Sequence, residues 1–362
     1  MARLEVKLKQ HTPILHFQGR QKGATIRPTE FKSKLDKYII DKAGEDLKKY
    51  YVGNGEKPAL DYKVRISSKN EPIENWPNKV VYFGDLGEKE SSKDLVWSKG
   101  EITIEFFSLQ NKIIDLIKEN LSDFLAITNF GTRQSKGFGS FYVDEKDPLY
   151  KKIISKYSFT VKETDFRRLF EKIDLFYKSL RSGINLGMGN GFYCKSAIFY
   201  YASSKGYTWD KKAIKTHFLN EEVGQNEVMA KDILGLSTFE NWREYSFKVM
   251  KTNSNVKRYQ SPLFFKIIKE ENSYKVYLFV LENSEILNRV KREEFKISNG
   301  QNDFRLRIGN NLSVKEFMEF VFDNKKYDLV EACQKKTNFT EFDILNTIYD
   351  EIRKNVGVYN GK

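Results

Sequence analysis

The sequence predicts an α+β protein of two units, each an antiparallel sheet with helices on one face. Three observations carry that expectation. Short stretches alternate between apolar and polar residues, as in Leu4, Val6 and Leu8 set among Arg3, Glu5, Lys7 and Lys9, which is the period of a half-buried strand. Between such stretches lie segments whose apolar residues recur at helical spacing. A polar, lysine-rich stretch at 144–156, opening Asp-Glu-Lys-Asp-Pro, then divides the 362 residues into parts of domain size.

The first strand, around residues 3–9, should stop at His11-Thr12-Pro13, because proline has no N–H for a ladder. A helix follows from Pro28-Thr29-Glu30, with proline and an acid in its first turn. Phe31, Leu35, Tyr38 and Ile39 form its apolar face, and Gly44 marks its end. Tyr62, Val64 and Ile66 alternate with polar residues as a second strand, and Val80–Phe83 reads as a short third. Residues 84–99 look like a polar insertion. Ile102, Ile104 and Phe106 make another strand. Ser108 is placed to cap a helix with Leu109, Ile113, Leu116 or Ile117, and Leu121 on its apolar face. Phe138–Val143 closes the set. Without the short strand at 80–83, the order is strand, helix, strand, strand, helix, strand. That is the ferredoxin-like pattern shared by RRM domains, which leaves one sheet face open.

The second unit begins with a strand at Tyr157, Phe159 and Val161, and Asp165–Arg181 is a strongly amphipathic helix. A glycine-rich stretch at 183–191 precedes a helix over Ser196–Ser204. Strands are expected near 245–250, 263–268 and 274–280. Ser313-x-x-Glu316 is a capping box opening a helix through Phe322, and another helix runs from Thr340 to about Asn355. The division is therefore 1–150 and 151–362, the second part a diverged ferredoxin-like unit with added helices.

Composition narrows the function. Lys and Arg exceed Asp and Glu by 62 to 49, a formal charge of +13, and 14% of residues are aromatic. A basic surplus favours a polyanionic partner, and aromatic side chains suit the stacking of single-stranded bases. With two cysteines, Cys194 and Cys333, and three histidines, there is no C-x-x-C and no set of zinc ligands. A reducing cytoplasm is the expected location. The charged N-terminal stretch reads as neither a signal peptide nor a membrane span.

The most informative motif is Gly131-Thr-Arg133-Gln-Ser135-Lys136-Gly137-Phe138-Gly139-Ser140, between a helix and the last strand of the first unit. Its glycines allow positive φ and close approach. Consecutive amides in such a loop can cradle phosphate oxygens. Arg133 and Lys136 add positive charge, and Ser135 and Ser140 add hydrogen-bond donors. This run resembles the glycine-rich loop of the RAMP superfamily of CRISPR-associated proteins, which ends in Gly-aromatic-Gly before the last strand of a ferredoxin-like fold. Thr12-Pro13 resembles the end of that family's opening strand. Gly23-Ala-Thr-Ile-Arg27-Pro-Thr-Glu30 resembles its loop before the first helix. The likeness covers about residues 3–143. It implies binding of CRISPR RNA or single-stranded target RNA, with other CRISPR effector subunits as partners in a type III system.

On this reading the RNA-contacting set is Arg20, Lys22, Arg27, Gly131, Arg133, Ser135, Lys136, Gly137, Gly139, Ser140 and Lys195. Lys195 belongs to Gly189-Asn-Gly191-Phe-Tyr-Cys194-Lys195-Ser196, which has cysteine where a P-loop requires glycine; a basic loop opening a helix fits better. Further basic and aromatic runs lie at Tyr207–Lys215, at Lys251–Tyr259 with Lys257 and Arg258, and at Arg289, Lys291 and Arg292. Some RAMP relatives cut RNA with a histidine base or a loop aspartate. The candidates here are His11, with Lys22 or Arg27 beside it, His16 and His217, and the loop acids Asp85 and Asp94. No partner for any of them is evident, so the reading is binding without catalysis, cofactor or metal. The alternatives are a metal-independent endoribonuclease of the same fold and a subunit that contacts only protein.

Overall fold

The computed structural model describes residues 2–15, 25–43, 45–53, 58–68, 71–72, 95–98, 100–187, 191–219, 221, 224–242 and 247–360. In the first half the elements are β1 (Ala2–Gln10), β2 (Ile14–Leu15), α1 (Pro28–Ala43), β3 (Lys63–Ser67), β4 (Glu71–Pro72), β5 (Leu95–Trp97), β6 (Ile102–Ser108), α2 (Asn111–Ala126) and β7 (Phe141–Val143). The main sheet has the order β3-β6-β1-β7 and is antiparallel throughout. Its core order β1-α1-β3-β6-α2-β7 and its strand neighbours are those of a ferredoxin-like unit.

Alternation in β1 sends Val6 and Leu8 into the core beneath the helices and leaves Arg3, Glu5, Lys7 and Lys9 exposed. Phe31 of α1 stacks on Phe130 at 5.5 Å and meets Phe124 of α2 edge-on at 5.6 Å. The hydrophobic face of α1 therefore closes on α2 as its spacing requires.

Several expectations are corrected. Leu109 is 82% exposed, because α2 starts only at Asn111 with Gln110 as its N-cap, so helical periodicity does not reach back to it. Ser108 ends β6 instead of capping: its hydroxyl donates to the Asp61 carbonyl at 2.9 Å and accepts from the Gln110 amide at 3.1 Å. The final strand is shorter than 138–143, starting at Phe141. The stretch 84–99 contains a strand, β5, which pairs with β2 and β4 in a small second sheet. Residues 80–83, Asp85, Asp94 and Gly44 lie outside the described residues.

The second half holds β8 (Tyr157–Val161), α3 (Phe166–Arg181), β9 (Ile184–Leu186), β10 (Phe192–Cys194), α4 (Ala197–Ser204), α5 (Asp210–Phe218), β11 (Phe239–Trp242), β12 (Phe247–Thr252), β13 (Leu263–Lys269), β14 (Tyr274–Val280), α6 (Ser284–Arg292), β15 (Phe295–Ser298), β16 (Asp303–Leu306), α7 (Val314–Val321), α8 (Leu329–Ala332) and α9 (Thr340–Asn360). One sheet runs β13-β14-β8 and another β11-β12-β15-β16. Phe176 of α3 meets Phe159 of β8, Phe265 of β13 and Tyr349 of α9, so α3 and α9 cover one face of the first of these. The order β8-α3-β13-β14-α9, with β14 between its neighbours, repeats five of the six ferredoxin-like elements. The remaining elements are inserted after α3 and after β14. The capping-box serine works as read: Ser313 accepts from the Glu316 amide at 3.3 Å. Glu316 itself turns to Tyr201 and Lys205.

Candidate nucleic-acid interface

The glycine-rich loop is where the two halves meet. Thr12 anchors it at the end of β1: its hydroxyl donates to the Gly137 carbonyl at 2.6 Å and accepts from the Ser140 amide at 2.9 Å. The Gly139 amide donates to the Pro13 carbonyl, and the Thr132 amide to that of Leu15, both at 2.8 Å. Glu30 of α1 accepts from the Gly131 amide at 3.2 Å and from Lys34 at 2.8 Å. At Gly139, φ is +65° and a Cβ would stand 2.0 Å from the Phe130 carbonyl oxygen, so only glycine fits. The amides of Gly131, Thr132, Lys136, Gly137, Gly139 and Ser140, which a phosphate would need, are thus already bonded within the protein.

The far side of the loop covers the free edge of β13. Asn129 donates to the Phe265 carbonyl at 2.9 Å, Ser140 donates to the Ile267 carbonyl at 2.6 Å, and His11 Nδ1 accepts from the Lys269 amide at 2.9 Å. These are alternate residues, the ones whose backbone groups point away from β14. A sheet edge left bare is a pairing hazard, and here side chains from the first half occupy it. Phe138 stacks on Phe170 of α3, while Lys136 Nζ lies 2.9 Å from the centre of the Tyr177 ring. Returning across the junction, Lys266 Nζ donates to the carbonyls of Phe141 at 2.7 Å and Thr128 at 3.0 Å.

The structure therefore divides the sequence-predicted set. Ser135, Lys136, Gly137, Gly139 and Ser140 are buried, whereas Gly131 and Arg133 are half-exposed on the rim. Burial lowers the Lys136 ammonium to a pKa of about 8 and carries that of Lys266 well below the ordinary lysine value. Arg27 is half-buried at the start of α1. Arg20, Lys22 and His16 lie outside the described residues. Lys195 is half-exposed, with Nζ 4.9 Å above the Phe199 ring, and its amide donates to the Ala332 carbonyl at 2.8 Å. The stretch before it is a hairpin, β9 pairing with β10, and not the strand–loop–helix of a P-loop.

The histidines differ sharply. His11 is buried, and its pKa is pushed down to about 3, by burial first and then by Lys266 and Lys9. A group held neutral so firmly is a poor base near neutral pH. His217 is half-exposed; its Nε2 lies 2.6 Å from Glu227 and its ring stacks on Phe304 at 3.9 Å. Among the described residues no group of three or more His, Cys, Asp or Glu is placed to hold a metal ion. No described helix is long and apolar enough to cross a membrane.

The open face of the first sheet is not an aromatic platform. Arg3 pairs with Glu105, Lys7 with Glu101 at 3.0 Å and Lys9 with Asp144 at 3.2 Å, so its charges largely cancel. Exposed cations lie instead in the segment after β12 and on α6. Lys257, Arg258, Arg289 and Arg292 are all exposed, and Arg289 joins two of the basic runs by donating to the Asn255 carbonyl at 3.1 Å. Ser135, two residues after Arg133 in the chain, and the segment Tyr259–Pro262 line one recess. Lys251, by contrast, is fully buried against Asp232 and Glu240.

Two family models match the chain: the Cmr1 N-terminal domain over residues 1–184 and the Cmr1 C-terminal domain over 193–353. The chain belongs to the Cmr1 family. It is a RAMP-type CRISPR-associated protein and a subunit of the type III effector kind. Among solved structures it is similar to Cmr1 from Pyrococcus furiosus in its apo form, at 12% identity over 77% of this chain and 88% of that one, with a TM-score of 0.41. It is also similar to a chain of a Type III-B Cmr-beta structure bound to cognate target RNA, at 16% identity, 40% and 58% coverage and TM-score 0.27. A second such structure, with target RNA, AMPPnP and ssDNA, gives 12% identity, 79% and 97% coverage and TM-score 0.33. No curated protein matches. The family assignment rests on the two family models.

Proposed function

We propose that this Cmr1-family chain contacts the backbone of CRISPR RNA or single-stranded target RNA along the junction of its two halves, within a multisubunit effector in the cytoplasm. The observation that supports this is the recess lined by Ser135 of the loop, by Tyr259–Pro262 and by Ile286 of α6, with Arg133, Lys257, Arg258 and Arg289 lying one to three residues along the chain from those lining residues. In this reading Arg133 supplies charge, while Lys136, Gly137, Gly139 and Ser140 hold the loop that presents it. Other effector subunits are the expected protein partners, as the RNA-bound Cmr assemblies named above suggest.

The test is RNA affinity as a function of salt. Wild-type protein should show a negative log–log slope. Alanine at Lys257, Arg258 and Arg289 together should weaken binding at least tenfold and flatten the slope by about two to three phosphates' worth. Unchanged binding by a folded variant would sink the assignment. A cleavage activity, the second reading, would draw on His217, which has a carboxylate partner and partial exposure. RNA cut equally well by His217→Ala would remove it.

A further inference from the structure

We infer that the recess between the glycine-rich loop and α6 receives one unstacked nucleobase of a single-stranded RNA. The inference rests on the RNA-contacting reading above and adds a base-holding site to it.

The recess has a volume of about 210 Å³, with Tyr259, Phe264, Leu281 and Ile286 as its apolar walls and Ser135 and Ser261 beside them. Sites for drug-sized ligands span roughly 300–1,000 Å³, so this one suits a single planar ring. Leu281 and Ile286 are 40% and 50% exposed. Ile286 stands on α6 among Glu285, Asn288 and Arg289, all exposed, so its apolar surface is out of keeping with the helix around it. Every base has an apolar face that stacks without regard to sequence, and the two serine hydroxyls can meet its polar edge.

Charge decides between RNA and a protein side chain as occupant. Lys257 and Arg258 immediately precede Tyr259, Arg289 follows Ile286 by about one turn, and Arg133 precedes Ser135 by two residues. Against these four cations stand Glu282 and Glu285, which flank Asn283 at the start of α6. A net positive rim around an apolar slot matches a base flanked by its own phosphates.

The test uses single-stranded RNA carrying 2-aminopurine at one position at a time, titrated with the full chain. One position should change its fluorescence on binding more than its neighbours. In Ile286→Ser and Leu281→Ser, whose side chains lie outside the packed core, that response should vanish and affinity should fall about tenfold, the scale of one lost base contact. The salt slope should stay as in wild type. If wild type binds RNA with salt dependence but no position responds, or both variants bind as tightly, the recess holds no base and the backbone reading stands. Wild-type protein that fails to bind RNA at low salt overturns both. Variants that bind RNA normally but lose association with other effector subunits show the occupant to be protein, which also overturns the inference.

Discussion

Phe138 and Phe170 stack face to face across the junction of the two halves, their ring centres 3.9 Å apart and their planes within 3° of parallel. Both rings are fully buried, so this pair ties the glycine-rich loop to α3 through apolar area rather than hydrogen bonds. Phe138→Ala should cost about 3–5 kcal/mol, the usual penalty for emptying a buried aromatic site. Urea unfolding would measure it. Limited proteolysis should show earlier cutting at 144–156 if the halves loosen.

Gly139→Ala should be costly for a different reason. Its Cβ would strike the Phe130 carbonyl, at a residue already held at positive φ. Gly300 also has positive φ, +93°, but nothing lies within 4 Å of a Cβ there. Alanine at 300 should therefore cost about 1–2 kcal/mol, and alanine at 139 clearly more, as thermal unfolding of the two variants would show.

Arg133 and Lys136 should separate in function. Arg133→Ala should weaken RNA binding and flatten the salt slope by about one phosphate. Lys136→Met should leave that slope unchanged, because its ammonium lies against Tyr177 and is buried. Equal effects on the slope would contradict the division.

His11 should make stability depend on pH. Its folded pKa, about 3, lies below the unfolded value of 6.5. Below pH 6.5 the unfolded chain binds a proton that the folded chain refuses, so stability falls as pH drops from about 6.5 towards 3 and this contribution levels off beneath. One such group gives about 1.4 kcal/mol per pH unit. His11→Asn, which keeps an acceptor for the Lys269 amide but cannot titrate, should lower the slope of stability against pH by about one proton.

Lys251 pairs with Asp232 at 2.5 Å, both fully buried, and meets the half-buried Glu240 at 3.0 Å, while Lys231 pairs with Glu240 at 2.7 Å. Burial alone would raise the Glu240 carboxyl, yet Lys231 and Lys251 hold it well below the ordinary value. Lys251→Met leaves buried carboxylates short of a cation and should cost about 3–5 kcal/mol; a Lys251→Met, Asp232→Leu double variant should recover part of that. Chemical denaturation of the pair would check it.

Much of the first half was legible in its sequence. The alternation through Leu4, Val6 and Leu8 gives β1, and the spacing of Phe31, Leu35 and Ile39 gives α1, because both periods are local properties of the chain. Leu109 was misread because helical spacing does not announce where a helix starts. The hairpin at β9 and β10 gives no distinct signal because its glycines, Gly183 before β9 and Gly187 and Gly191 between the strands, look alike whether they build a loop or a turn. The buried network around Asp232 left no signal beyond Lys251 lying in a basic run that looked solvated.

By itself the sequence determined the core strand and helix order of the first half, the RAMP-like loop and the positive surplus, since periodicity, glycine content and charge are read residue by residue. Only the tertiary structure decided that Arg133 faces the rim while Lys136 lies under it, and that the loop closes the edge of β13. Those outcomes depend on Ile267, Phe170 and Tyr177, which a local pattern around residue 136 cannot see. Whether a lysine is a solvated charge or a buried strut is settled by the neighbours that folding brings to it.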